Sequence, residues 1–150
     1  MHRGLVSYAR GLMPPQIRRN LKPRKTNLIA YELIAAVMTV FMLDQVLREK
    51  VAVRHFIDNR PARSCLVKGS SKQVDLNDIS GLVWYTAAHR THSYWSQWVC
   101  STANLADKPS RQDLSVMKQL RGTEVEMNFS LYLAAAESWA LTRKRQAMIA

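Results

Sequence analysis

Three carboxylates stand at positions where a metal-dependent reaction could be carried out. Glu32 falls within an apolar run, Asp58 ends a β-prone run, and Asp107 lies in a polar loop after a second β-prone run. Carboxylates that are brought together repel one another, and a hard divalent cation such as Mg²⁺ relieves the repulsion. Two such ions can activate a water molecule and stabilise the leaving oxygen of a phosphodiester. Spacing alone is a weak signal, because acidic residues follow strands in many chains.

Two predicted strands would position the aspartates. The run VAVRHFIDN, from Val51 to Asn59, predicts a buried strand over residues 51–58 with Asp58 at its carboxyl end. The alternating aromatic run YWSQWVC, residues 94–100, predicts a second strand. Helices are predicted between them, so the strands should be parallel, and Asp58 and Asp107 should leave the sheet at the same edge.

The third carboxylate, Glu32, belongs to a predicted helix over residues 28–47, with Thr26 or Asn27 as its N-cap. The apolar residues cover too wide a surface for one amphipathic face, which predicts a largely buried helix. An ionised Glu32 in such a helix needs compensation. Three explanations remain open: Glu32 faces solvent, it lies near the positive helix N-terminus, or it binds a cation.

The remaining chain predicts short elements around this framework. Asn59 is the expected N-cap of a helix to about Val67 that stops at residues 68–71, and a helix over 75–90 should bury one apolar face. That face comprises Leu76, Ile79, Leu82, Val83 and Ala87. We also expect a short strand within 5–9, a short helix over 15–21, a loop over 101–111 whose helical turn stops at Pro109, a linker over 121–128 and a helix over 129–149.

The charge of the chain indicates a polyanionic partner. The 150 residues carry a net charge of +11, and the first acidic residue is Glu32. This balance favours a nucleic acid or an anionic membrane, although a merely basic protein is the alternative. The apolar run 33–43 has eleven residues, against the ~20 that span a bilayer, so we expect no membrane span. Cys65 and Cys100 fit no metal-ligand spacing and predict free thiols in a reducing, intracellular compartment, cytoplasmic or nuclear rather than secreted.

Several motifs together resemble the ribonuclease H-like domain, most closely the version attached to reverse transcriptases of retroelements. The resemblance covers roughly residues 5–125. Its most specific part is the pattern Ser-x-x-Asn-x-Ala-Asp-x-x-Ser-Arg after an aromatic strand, which is similar to the family's closing motif. The matching segments are IAYELIAAV around Glu32, FIDN (56–59), KGSS (68–71), Asp75-Leu76, Trp84 and STANLADKPSR (101–111).

The resemblance implies an α/β fold with a mixed sheet flanked by helices, over residues 1–125, followed by a helical tail over 126–150. It also implies cleavage of the RNA strand of RNA–DNA hybrids with Mg²⁺, or alternatively Mn²⁺. Glu32, Asp58 and Asp107 match the family's catalytic metal ligands. Residues that would bind or orient the nucleic acid are Asn59, Arg60, Lys68, Ser101, Asn104 and Arg111. The implied partners are an RNA–DNA hybrid or duplex and the rest of a reverse transcriptase polyprotein, with no membrane.

The sequence also departs from the family pattern. Nothing in residues 1–31 is acidic, so the family's first catalytic aspartate has no counterpart, and we expect the opening hairpin to be missing, with residues 5–9 as a remnant of the third strand. No histidine stands between Ser93 and Asp107, where cellular members place a mobile proton-handling histidine. A two-metal site without its bridging ligand should lose most of its rate. A non-catalytic nucleic-acid-binding module, and a mitochondrial or membrane-associated protein anchored by residues 1–43, remain alternatives.

Overall fold

Short parallel strands and longer helices make up an α/β fold. The computed structural model of the protein describes residues 6–46, 52–90 and 93–149. In chain order the elements are β1 (Ser7–Tyr8), α1 (Pro15–Arg19), α2 (Leu28–Val46), β2 (Ala52–Ile57), α3 (Arg60–Lys68), α4 (Val74–His89), β3 (Ser93–Trp98), a 3-10 turn (Ser101–Ala103), α5 (Asp107–Ser110), α6 (Ser115–Gln119), β4 (Thr123–Glu124) and α7 (Phe129–Ile149). Three predicted ends, at residues 5, 47 and 51, lie outside the described residues.

Helix α2 is the centre of the hydrophobic core, as its apolar composition predicts. More than half of its circumference is buried because α3, α4 and α7 all pack against it, while Leu28 and Ala35 are exposed. The fully buried members include Leu33, Ile34, Ala36 and Val37, each at 0% exposure. Glu32 lies among these positions and is half-buried. Any charge on its carboxylate is therefore close to apolar surroundings.

The strands form two separate parallel pairs. β2 pairs with β3 in the register Ala52 with Ser93 through Ile57 with Trp98, which confirms the predicted parallel arrangement. The predicted burial of this strand is wrong, because alternate side chains of residues 52–57 are exposed and Ile57 alone among them is buried. β1 pairs with β4, Ser7 with Thr123 and Tyr8 with Glu124. Within the described ranges the expected mixed sheet is not seen, and the strand in residues 5–9 joins β4 instead of the sheet that precedes Asp58. The expected linker over 121–128 is also wrong in part, because its backbone supplies β4.

Helices α3 and α4 follow their local sequence signals. The Asn59 side chain caps α3 by accepting a hydrogen bond from the backbone N–H of Ala62 at 3.0 Å, and Gly69 ends the helix at φ 65°. Glycine suits that left-handed conformation because it has no Cβ. The predicted apolar face of α4 is buried at all five positions. The local periodicity and caps therefore place both helices correctly, within one residue at each end.

Helix α7 packs across α4 through a close approach at Gly81. A Cβ built on Gly81 would lie 2.5 Å from Cζ2 of Trp139, so only glycine lets the indole sit at this distance without a shift. Further along, Arg143 of α7 forms an ion pair with Asp78 of α4. The C-terminal helix thus shares the core with the preceding elements, to which Tyr132 contributes a side chain at 7% exposure.

The loop after β3 is more regular than its sequence indicates. Pro109 does not stop a helical turn but lies inside α5, where it is buried. Proline is tolerated there because the first residues of a helix have no intrahelical acceptor for their N–H groups. Of the helices in the described ranges, none is both long and apolar enough to cross a bilayer.

Candidate functional site

The carboxyl ends of β2 and β3 are held side by side. The backbone N–H of Val99 donates to the carbonyl of Ile57 at 3.1 Å, which continues the strand pairing beyond the last register pair. The indole N–H of Trp98 donates to the carbonyl of Asp58 at 3.2 Å. Asp58 therefore begins the chain that leaves β2 directly beside the end of β3. From that same edge the chain runs through the 3-10 turn to Asp107, the first residue of α5.

Glu32 lies within the electrostatic field of both aspartates. Its pKa is raised above the ordinary value, first by burial and then by the negative charges of Asp58 and Asp107. Like charges disfavour the ionised form of a carboxyl and so raise its pKa. The fold thus brings two aspartates, one at the end of β2 and one in the segment after β3, into the electrostatic neighbourhood of Glu32 on α2.

The donor set suits a hard cation, although it is not closed around one. Three carboxylates offer the oxygen ligands that Mg²⁺ and Mn²⁺ prefer, and the repulsion at Glu32 is what such an ion would relieve. Asp107 is already engaged, because Nε of Arg111 donates to its two carboxylate oxygens at 3.1 and 3.2 Å. Among the residues that the structure describes, no three His, Cys, Asp or Glu side chains form a group that could hold a metal ion as they stand. The residues therefore fit the ion in charge and donor type, and ligation would require them to move closer.

Two of the predicted nucleic-acid-binding residues shape the backbone beside these acids. Asn59 caps α3, and Oδ1 of Asn104 accepts a hydrogen bond from the backbone N–H of Ala106 at 3.1 Å. Both amides thereby fix the turns that carry Asp58 and Asp107. Arg111 pairs with Asp107 through Nε, while its side chain stays 75% exposed.

The other predicted nucleic-acid-binding residues lie at the surface. The Arg60 guanidinium stacks over the ring of Trp98, with 4.5 Å between its central carbon and the ring centroid. Lys68, at the end of α3, and Ser101, at the start of the 3-10 turn, are both exposed. Arg60 is thus close to the strand ends that precede Asp58 and Asp107, while its stacking on Trp98 holds it in place.

A buried ion pair at the start of α4 could not be recognised in the sequence. Arg24 pairs with Asp75, and Arg24 also donates to the side chains of Gln73 at 2.6 Å and Asn27 at 3.1 Å. The backbone N–H of Lys22 donates to Asp75 at 2.9 Å. Burial acts to raise the pKa of Asp75, but these hydrogen bonds and the Arg24 charge outweigh it, so the pKa is lowered. No local signal connects partners 51 positions apart.

A histidine also lies beneath the strand pair. His55 of β2 and Tyr94 of β3 are hydrogen-bonded, and their rings meet edge to face with centroids 5.7 Å apart. Burial lowers the pKa of His55 to about 4 and raises that of Tyr94. His55 is therefore neutral at pH 7 and serves packing under the sheet rather than proton transfer at its edge.

Comparison with known proteins adds no relative to this description. Models of protein families, curated protein sequences and solved structures contain no match to the chain.

Proposed function

We propose that the chain is a ribonuclease H-like nucleic-acid-processing domain of the type attached to retroelement reverse transcriptases. Its substrate class is the RNA–DNA hybrid, and its reaction is metal-dependent hydrolysis of RNA phosphodiesters. No acidic residue in 1–31 matches the family's first catalytic aspartate, so we expect a low rate from these 150 residues alone. The observation that supports the proposal is the neighbourhood of Glu32, Asp58 and Asp107, which come from three separate elements.

The charges of Asp58 and Asp107 disfavour the ionised form of Glu32. Acids with a perturbed pKa occur often at sites that bind or react with another molecule. Glu32, Asp58 and Asp107 would hold Mg²⁺, and the bound ion supplies charge to stabilise the leaving oxygen and to acidify a water. Asn59 and Asn104 keep the turns of the two aspartates in place, and the net charge of +11 attracts the polyanionic substrate.

Hydrolysis of a labelled RNA–DNA hybrid tests this function. With Mg²⁺ present, Asp58→Asn should reduce cleavage by at least about 100-fold, because loss of a ligand should cost no less than loss of a residue that orients one. Asp113→Asn is the matched control: the side chain of Asp113 is exposed, and its Oδ1 accepts a hydrogen bond from the backbone N–H of Ser115, which asparagine can also accept. Cleavage unchanged in Asp58→Asn would remove the proposed site.

A second candidate is a nucleic-acid-binding module without catalysis. It is favoured by the absence, among the described residues, of a closed three-ligand group and by the engagement of Asp107 with Arg111. For such a module, binding to the hybrid should weaken steeply between about 50 and 200 mM salt, and no Mg²⁺-dependent cleavage should appear. Failure to bind hybrid or duplex at low salt would contradict both functions.

A further inference from the structure

One face of the β2–β3 pair is open. Cross-strand partners in a sheet point to the same side, so Arg54 with Trp95, and Phe56 with Gln97, share one face. We call these four residues the outer face. The opposite face carries Ile57 and Ser96, which are 1% and 7% exposed. The helices therefore cover only one side of this sheet.

The outer face exposes large aromatic surfaces. Trp95 is 68% exposed and Phe56 is 49% exposed, and both neighbours in register, Arg54 and Gln97, are exposed as well. In the described part of the chain neither β2 nor β3 has another strand beside it. Parallel sheets are normally covered on both faces, so an open face with two aromatic rings indicates a binding surface.

The charge of the chain identifies the class of partner. Positions 52–57 and 93–98 contain Arg54 and His55 and no acidic residue. A second copy would bring two chains of net charge +11 together, which like-charge repulsion opposes, whereas a polyanion is attracted. Exposed aromatic rings beside an arginine are the usual combination for unpaired bases, since every base has a π-face and the arginine meets the phosphate.

We infer that the outer face binds single-stranded nucleic acid, with bases stacked on Trp95 and Phe56 and the backbone near Arg54. A duplex is excluded from this mode because its bases are already stacked on one another. Trp95 and Phe56 are diagonal neighbours, about 8 Å apart at their Cα atoms from a strand spacing of ~4.8 Å and a two-residue rise of ~6.6 Å. That separation leaves room for two neighbouring bases of one strand.

This surface shares no residue with the three carboxylates, and the inference does not rest on the proposed cleavage. Binding is therefore measured in EDTA, where no Mg²⁺-dependent reaction takes place. Loss of cleavage in Asp58→Asn leaves the outer face intact, and loss of single-strand binding through Trp95 leaves the carboxylates intact. The two proposals can fail independently.

The decisive experiment compares two substitutions of Trp95 in the full chain. Fluorescence anisotropy with a labelled 12-nucleotide oligo(U), and with a 12-base-pair RNA duplex, gives both dissociation constants. Trp95→Leu keeps an apolar side chain and removes the π-face, so it should weaken single-strand binding about tenfold. Trp95→Phe should stay within about twofold of the unchanged protein. Duplex affinity should change by less than about twofold in both variants.

Further variants separate stacking from charge. Phe56→Leu should weaken oligo(U) binding in the same direction as Trp95→Leu. Arg54→Gln should weaken it more than Arg145→Gln, which removes the same charge from an exposed position on α7. Equal affinity of Trp95→Leu and Trp95→Phe for oligo(U), or equal losses for single strand and duplex, would overturn the inference. So would sedimentation that detects a dimer disrupted by Trp95→Leu, because the outer face would then bind a second copy.

Discussion

The buried Asp75 and the half-buried Glu32 have opposite electrostatic surroundings in this fold. Asp75 meets the guanidinium of Arg24 and the backbone N–H of Lys22, and its pKa is lowered. Glu32 is partly buried and lies in the field of the negative charges of Asp58 and Asp107, so its pKa is raised. The charge of Asp75 is thus compensated by Arg24 and a backbone N–H. Glu32 instead experiences repulsion from Asp58 and Asp107.

The contrast separates a structural role from a functional one. Asp75 links residues 22–24 to the start of α4, so its charge stabilises the folded state. Glu32 forms no ion pair with any residue that the structure describes, and acids with a perturbed pKa and no such partner are typical of sites that bind something else. Among the described residues, Asp75 thus has a cation and a backbone N–H donor beside it, whereas two negative charges act on Glu32.

The largest expected effect comes from removing the compensation of Asp75. Arg24→Leu leaves a carboxylate at 8% exposure without its cation and should lower the free energy of unfolding by about 3–5 kcal/mol. Urea unfolding at pH 7 measures the change. Arg10→Ala is the control, because the Arg10–Glu124 pair is exposed at 39% and 47% and should contribute at most about 1 kcal/mol. Equal losses in the two variants would contradict the contrast.

A smaller effect on stability is expected when Mg²⁺ is added to neutralise the negative charge around Glu32. At a Mg²⁺ concentration about 30 times its dissociation constant, binding adds about 2 kcal/mol to the stability, which corresponds to a rise in Tm of about 4–8 °C for a chain of this size. Asp58→Asn should abolish the rise, whereas Arg24→Leu should retain it. Thermal unfolding with MgCl₂, against NaCl at the same ionic strength, provides the measurement. An equal rise in Asp58→Asn would show that the ion binds elsewhere.

The smallest effect concerns the proton at Glu32. A carboxyl whose pKa is raised on folding binds more protons in the folded state, so its contribution to stability falls as pH rises from its unfolded pKa through its folded pKa. In EDTA at pH 7, Glu32→Gln should therefore raise Tm, by less than the rise that Mg²⁺ produces. The difference should shrink at pH 4, because lower pH increases protonation of the Glu32 carboxyl. A Tm that falls at pH 7 would mean that the Glu32 charge stabilises the fold.

Local signals account for most of the elements that sequence reasoning places correctly. The apolar composition of α2, the period of α4 and the Asn59 and Gly69 caps of α3 act within a few residues, so they can be read directly. The parallel pairing of β2 and β3 follows from the helices between them. Together these elements bring Asp58 and Asp107 to the same edge, and Glu32 into their field.

Contacts between distant residues account for what sequence reasoning missed. The pairing of β1 with β4 has no local pattern, because each strand has only two residues. Arg24 is one of several cations before Glu32, and Asp75 begins the predicted helix over 75–90. Their pairing depends on how the segment before α2 crosses the start of α4. The engagement of Asp107 by Arg111 was also missed, although both residues were predicted near the site.

The pairing of β1 with β4 also constrains the order in which the chain can fold. The Tyr8 hydroxyl donates to Glu124, 116 positions further on, and the N–H of Thr123 donates to the carbonyl of Val6 at 2.9 Å. Residues 6–10 therefore have no strand partner during synthesis until about residue 125 has left the ribosome. Closing so long a loop is slow compared with forming α2 or α4, so this basic segment should be the last to be fixed. Until then Arg10, which pairs with Glu124 in the folded chain, is available to bind a polyanion.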